Sequence, residues 1–267
     1  MFSEKDFEIY RHAWRFALAP DKEPQLSDSQ CKALLKKGGW LVRNTFDFDC
    51  KEETSFWYVI KDSFGGMEEL SAKDRKSVNK ALSSLEYKIV DKQLIENQGY
   101  DIAKRAYDAF EIHNASMNEQ IFERFLNNWS EKNCDFWGVF DLSDGRLVGF
   151  GVVIKYDTSC SYDMACILPE YRDNKYCAFY GIYYKRNEYY LGEKQYKYVT
   201  DGTRSITEHS NVQPFLIQKF KFRKAYCKLR IRYKWWFGAI VRILLPFRNL
   251  VWNRNVKAVL NMHKMQS

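Results

Sequence analysis

Between Phe136 and Tyr233 the chain alternates short apolar runs and helical stretches in an order that few folds accommodate. Phe136–Leu142 and Arg146–Ile154 flank Ser143-Asp144-Gly145, which reads as a β-hairpin. A third strand is predicted from Tyr162 to Leu168, ended by Pro169. Tyr171–Leu191 reads as a long helix, Tyr196–Thr200 as a strand, and the chain from Asn211 as a short helix with Phe215, Leu216 and Phe220 on its apolar face. Alternation from Ala225 to Tyr233 gives a last strand. The order is β-β-β-α-β-α-β. Where the strand ending at Thr200 opens into Asp201-Gly202-Thr203-Arg204-Ser205 and feeds a helix, backbone N–H groups can face a ligand.

The first half is mixed as well. Asp6–Leu18 reads as a helix, from the spacing of Phe7, Tyr10, Trp14 and Leu18. Ser27 or Asp28 can cap a helix running to Lys37, closed by Gly38-Gly39. Trp40–Phe48 and Phe56–Lys61 read as strands, Ser71–Leu82 as a helix capped by Ser71 with Asp74 three residues on, and Glu86–Val90 as a strand. Tyr100–His113 and Met117–Trp129 read as helices. The predicted class is α/β (mixed α+β), with a central mixed, mostly antiparallel sheet flanked by helices.

Charge is unevenly placed. Of 42 Lys and Arg, 13 lie between Lys219 and Lys264, and no Asp or Glu follows Glu208. The rest of the chain is therefore net acidic, with 29 basic against 34 acidic side chains. A basic quarter on an acidic body implies an acidic partner for that quarter. Lys228, Arg230, Arg232 and Lys234 recur at every second residue, one face of a strand, and Trp235, Trp236, Phe237, Leu244, Leu245 and Trp252 follow. That combination suits an anionic membrane surface across 219–257, an acidic carrier protein or tRNA, or a core helix with solvated charges. Arg242, Pro246 and Arg248 interrupt the apolar run, which falls short of a bilayer span.

Seven cysteines are scattered without a CxxC pair, and four histidines supply no zinc spacing, so reduced thiols and no metal are expected. Cys227 alternates with Tyr226 on a strand; a nucleophilic role would need a nearby base, and a buried strand cysteine is the simpler reading. The opening Met1-Phe-Ser-Glu-Lys-Asp-Phe-Glu carries charge from its fourth residue, unlike a secretory signal. A cytoplasmic protein, peripheral at the inner membrane face, is the expected setting.

The second-half order resembles the GNAT acyl-CoA N-acyltransferase fold. Asn211-Val-Gln-Pro-Phe-Leu-Ile-Gln-Lys-Phe-Lys-Phe222 is similar to that family's last motif, in which Asn opens a helix ending in Lys-Gly-Phe. Trp57–Lys61 with Leu70–Ala81 resembles the Fem-type, two-lobed relatives, which use aminoacyl-tRNA to extend peptidoglycan bridges. Where GNAT enzymes carry a Gln/Arg-x-x-Gly-x-Gly/Ala loop for the CoA pyrophosphate, this chain has Arg172-Asp-Asn-Lys-Tyr-Cys-Ala178, without either glycine. Ile217 stands where a tyrosine often protonates the thiolate, and Lys221 in the usual glycine place.

The resemblance implies an N-terminal lobe over 1–115, a GNAT-like lobe over 116–234 and a basic aromatic tail over 235–267. It implies transfer of an acyl or aminoacyl group to an amine of a cell-envelope, saccharide or lipid-linked precursor. Glu208, His209 and Asp201 are the candidate catalytic residues, set against the plainer reading of cap, exposed ring and turn. Arg172, Asn174, Lys175, Thr203, Arg204, Ser205 and Asn211 are candidates for the donor: acyl-CoA, a carrier-protein thioester or aminoacyl-tRNA. An RNA-binding or tRNA-dependent module, and an inactive GNAT-like scaffold, are the alternatives.

Overall fold

The computed structural model describes residues 6–109, 116–173, 175–206 and 211–266. In chain order the elements begin β1 (Phe7–Tyr10), β2 (Ala13–Phe16), α1 (Asp28–Lys37), β3 (Leu41–Phe46), β4 (Phe56–Lys61), α2 (Ala72–Ser84) and β5 (Leu85–Val90). They continue α3 (Lys92–Asp108), α4 (Glu119–Ser130), β6 (Cys134–Asp141), β7 (Leu147–Lys155), β8 (Ser159–Ile167) and α5 (Ala178–Asn187). The last are β9 (Tyr198–Thr203), α6 (Val212–Phe220), β10 (Arg223–Tyr233), α7 (Trp235–Leu244) and α8 (Arg254–Lys264). The class is the mixed α/β one that the sequence predicts.

The chain folds into two compact units, each assembled from separated segments. The first takes Met1–Val59, Thr203–Ser210 and Lys224–Ser267; the second takes Ile60–Gly202 and Asn211–Arg223. Neither follows a single stretch of sequence, and β4 passes from one to the other.

In the first unit β1 and β2 pair antiparallel, β2 runs parallel to β3, and β3 pairs antiparallel with β10. The start of the chain is thus a hairpin, not the helix that the spacing of Phe7, Tyr10 and Trp14 predicts. Arg11 and His12 both hold positive φ, of 48° and 67°, a two-residue turn of the handedness that matches strand twist. Phe7 then faces Phe16, and their rings meet edge to face at 5.3 Å over a core with Leu26, Cys31, Leu34 and Val42. Burial of that pair outweighs helix propensity. Helix α1 is capped as predicted: Ser27 Oγ accepts from Gln30 N, and Gln30 returns a bond to Ser27 N.

In the second unit β5, β6, β7 and β8 form an antiparallel run, and β9 joins β8 in parallel. The hairpin of β6 and β7 lies where the sequence places it, and β7 is buried through eight consecutive residues. Helix α3 lies against β7 and β8, and α5 against β5 and α2. The predicted helices at Tyr100 and Tyr171 have other beginnings: α3 starts at Lys92, and α5 starts only at Ala178 and continues into a wider π-turn, Glu188–Glu193. Among the described residues no helix is long and apolar enough to cross a membrane.

Candidate active site

A parallel pair of strands that separates is the feature around which the second unit's chemistry gathers. β8 and β9 pair at Ser159↔Tyr198, Cys160↔Val199 and Ser161↔Thr200. β8 then runs on to Ile167 without β9. The fork therefore opens at Ser161 and Thr200, well before the predicted end of this strand at Leu168. The cause is local. Val152 faces Met164 but Val153 faces Tyr162, so Asp163 is an extra residue in β8, and such a bulge bends its strand. Asp163 is held there by Trp129, whose buried Nε1 donates to its carboxylate at 2.7 Å.

Aromatic rings close the base of the fork. Tyr162 is buried, donates its hydroxyl to Asn187 Oδ1 at 2.9 Å, and lies 6.0 Å from Tyr183 and 6.3 Å from Phe222. Tyr180 and Tyr183 pack on Phe215 and Phe220, fastening α6 to α5. Among the tyrosines of α5, these two serve helix packing. Beneath them Arg186 is fully buried. Its Nη2 donates to Met164 O at 3.3 Å, its guanidinium lies 5.4 Å from the Tyr162 ring, and Nε and Nη1 find no partner among the described residues. A fully buried cation with two nitrogens lacking hydrogen-bond partners is costly, and burial lowers its pKa.

Asp201 is the first residue past the last β8–β9 pair. It is half-buried, and burial pushes its carboxyl up to about 7, against the opposing pull of a hydrogen bond from Gln213 and the charge of Arg186. Gln213, on α6, also donates to the Asp201 carbonyl at 3.4 Å. Gly202, next along, has φ +81°, its amide donates to Thr200 Oγ1 at 3.0 Å, and a Cβ built there would meet nothing within 4 Å. The space is on Gly202's side of β9, whereas Asp201, the residue before it, owes its raised pKa to burial.

The other predicted residues are distributed as follows. Glu208, His209 and Asn174 lie outside the described residues. Thr203, Arg204 and Ser205 belong to the first unit. There Arg204 donates its backbone N–H to Trp57 O at 2.8 Å and Nη1 to Ser55 O at 2.6 Å. Its guanidinium lies 4.0 Å from the Trp57 ring, which Lys224 approaches to 4.3 Å. Burial lowers the Arg204 pKa. Thr203 and Ser205 are each engaged. Asn211 opens α6 by position; its side chain makes no cap bond, while its carbonyl accepts from Phe215 N at 3.0 Å.

The segment that in GNAT enzymes cradles pyrophosphate is folded upon itself. Asp173 accepts from Lys175 N through its carboxylate at 2.9 Å, and from Tyr176 N and Cys177 N through its carbonyl at 3.3 and 2.8 Å. Three amides of the loop are therefore committed, and a carboxylate stands among them. Arg172 is a strut: Nε donates to Ile167 O at 2.9 Å and Nη2 to Ala106 O at 2.7 Å. Lys175 rests over the Tyr176 ring at 4.8 Å. Cys177, in a glycine's place, takes the left-handed conformation with φ 54°.

Two residues escape a reading by motif. Asp74 is buried, accepts from Ser71 Oγ at 2.5 Å and Tyr180 OH at 3.3 Å, and lies 3.6 Å from Lys219 Nζ. In sequence it is only the third residue of a helix. Arg186 looks like any cation near a helix end. Cys227 is buried, and its thiol is pushed up to about 12 by burial, which leaves it inert. Among the described residues no three His, Cys, Asp or Glu gather as a metal site. An open surface recess of about 290 Å³, lined in part by Tyr87, Trp137, Lys185 and Glu188, holds none of the residues predicted from sequence.

No family profile matches the chain, and no curated protein does. Solved structures do. FemX shares 9% identity, with 80% of this chain and 77% of that one aligned at a TM-score of 0.52. A C-terminal DUF2156 domain from Agrobacterium fabrum, assigned to a lysylphosphatidylglycerol synthetase, shares 11% identity over 91% of this chain and 86% of that one, at 0.53. The fold is GNAT-like and of the Fem type, as the resemblance implies.

Proposed function

We propose that this chain transfers an acyl or aminoacyl group to an amine of a cell-envelope, saccharide or lipid-linked precursor, with Asp201 taking the amine proton. The observation that carries the reading is the position of Asp201: one residue beyond the last β8–β9 pair, beside Gln213 of α6, with a carboxyl displaced to about 7. A base is most effective when its pKa lies near the working pH. The shared fold is that of FemX and of a domain named for lysylphosphatidylglycerol, an aminoacylated lipid, and this supports aminoacyl transfer to a cell-envelope or lipid precursor.

In the step, the amine nitrogen attacks the donor carbonyl carbon and the C–N bond forms. The bond from that carbon to the donor's oxygen or sulfur breaks, and the leaving group departs with the electron pair. Asp201 accepts the proton that nitrogen sheds, and the leaving group is protonated in turn. Glu208 and His209 stay candidates for assisting either transfer. Asp173's hold on the amides of Lys175, Tyr176 and Cys177, and the engagement of Arg172, favour aminoacyl-tRNA or a carrier thioester over free acyl-CoA.

The test offers radiolabelled aminoacyl-tRNA, acyl-carrier thioester and acyl-CoA in turn with amine acceptors. Transfer from one of the first two is expected, and Asp201→Asn should lower kcat about 100-fold or more while leaving donor-induced thermal shift intact. Glu208→Gln is run alongside. No thermal shift and no transfer with any donor would favour the inactive scaffold; full turnover in Asp201→Asn would remove Asp201 from the mechanism.

A further inference from the structure

The basic quarter of the chain divides into two parts. On β10 the alternating cations are already engaged within the first unit: Lys228 with Asp47 at 3.0 Å, Arg232 with Asp28 at 2.8 Å, and Arg230 with the carbonyl of Leu26 at 3.2 Å. Beyond β10 the pattern reverses. Arg242, Arg248, Arg254 and Lys257 have no carboxylate partner among the described residues, and the sequence supplies no acid after Glu208.

Helix α7 turns Gly238 and Val241 inward and an apolar stripe outward. Trp236, Ile240, Ile243 and Phe247 follow at steps of four, three and four residues, all exposed. Trp235 is 86% exposed, Trp252 96%, Leu250 72% and Ile243 67%. The Trp236 ring meets the exposed Trp40 at 5.7 Å, so the residue just before β3 extends the patch. Single exposed apolar residues are ordinary, but seven within one 18-residue segment mark a contact surface.

We infer that α7, the turn at Pro246 and the start of α8 form an interfacial docking surface for an anionic lipid bilayer. Trp235, Ile243, Leu250 and Trp252 enter the headgroup boundary, while Arg242, Arg248, Arg254 and Lys257 meet lipid phosphates. The charge pattern selects this occupant. A second copy docking through the same face would bring those cations together with no carboxylate between them. Aliphatic Ile243 and Leu250 offer no stacking to a nucleic acid. Ten residues of α7 span about 15 Å, half a bilayer core, so the helix lies along the surface and does not cross it. The inference is independent of transfer chemistry.

Sedimentation of the full chain with vesicles tests it, using phosphatidylcholine alone and with about 30% phosphatidylglycerol. Binding to the anionic vesicles is expected to exceed that to neutral ones about 10-fold at roughly 0.1 M salt and to weaken near 0.5 M. The triple variant Trp235→Ser, Ile243→Ser, Trp252→Ser, exposed throughout, should bind about 10-fold less with unchanged thermal unfolding. No pelleting with anionic vesicles, or wild-type binding by the variant, overturns the inference. So does a dimer, or tRNA binding, that the same substitutions abolish in a chain that ignores vesicles. Turnover on a water-soluble amine reads the transferase proposal separately.

Discussion

Arg186 Nη2 occupies the space that a side chain at Gly151 would need: an ideal Cβ there falls 1.6 Å from that nitrogen and 2.9 Å from Met164 O. The absence of a side chain on β7 is what admits a guanidinium beneath the fork. Gly151→Ala must displace Arg186, and overpacking of this kind costs about 1–3 kcal/mol. Arg186→Met should be neutral or stabilising, because it removes a buried cation with two unpartnered nitrogens. Urea unfolding of the single and double variants gives the coupling directly. The double variant should be more stable than Gly151→Ala, and strictly additive effects would contradict the displacement.

Asp201 makes stability and activity respond oppositely to pH. Its folded pKa, about 7, lies above the 3.8 of an unperturbed aspartate, so the folded state binds a proton more tightly than the unfolded one. That contribution is complete below the unfolded value. It declines as pH rises from about 4 to 7, at up to roughly 1.4 kcal/mol per unit. Asp201→Asn should flatten the dependence in that window and be the more stable protein at pH 8. Turnover by the wild type should instead rise through pH 7 as the carboxylate forms. Thermal melts and pH–rate profiles on the same pair check both signs.

Much of this architecture is legible in the sequence because local signals and tertiary packing agree. The β6–β7 hairpin and the Ser27 and Ser71 caps are set by neighbouring residues. The β1–β2 hairpin is not, since Phe7, Tyr10 and Trp14 fit a helical stripe as well, and only the Phe7–Phe16 pairing decides. Asp201 is legible as the residue after a predicted strand end at Thr200, although β9 itself runs on to Thr203. Its displaced carboxyl comes from burial, with Gln213 and Arg186, brought near by α6 and α5, pulling the other way, and no spacing encodes that balance. The fork's early opening depends on Asp163, an unremarkable position until β7's register is known.

The Asp173 loop predicts a specific failure to bind CoA. The Lys175, Tyr176 and Cys177 amides are committed to one residue and so withheld from an anion at the entrance to α5. Free CoA should give no thermal shift. Cys177→Gly relieves a left-handed φ of 54°, worth about 1 kcal/mol, but gives up a buried side chain, so stability should stay near the wild type's while CoA is still left unbound. Isothermal titration of wild type and variant with CoA checks this, and measurable affinity in the wild type would refute the account of the loop.

Lys221 closes α6 in the left-handed conformation, with φ 58° and its N–H bonded to Leu216 O. It is exposed and takes the glycine place of the motif it resembles. A side chain in that conformation costs about 1 kcal/mol, which glycine avoids. Lys221→Gly should therefore raise stability by about that amount, offset in part by glycine's greater freedom in the unfolded chain. Lys221→Val, β-branched, should lose stability instead. Lys219, two residues earlier, provides the contrast. Its ammonium lies 3.6 Å from buried Asp74, so Lys219→Ala removes the cation beside that carboxylate and should destabilise by about 1–3 kcal/mol. Parallel denaturant titrations of the three variants should rank Lys221→Gly above the wild type and both others below it.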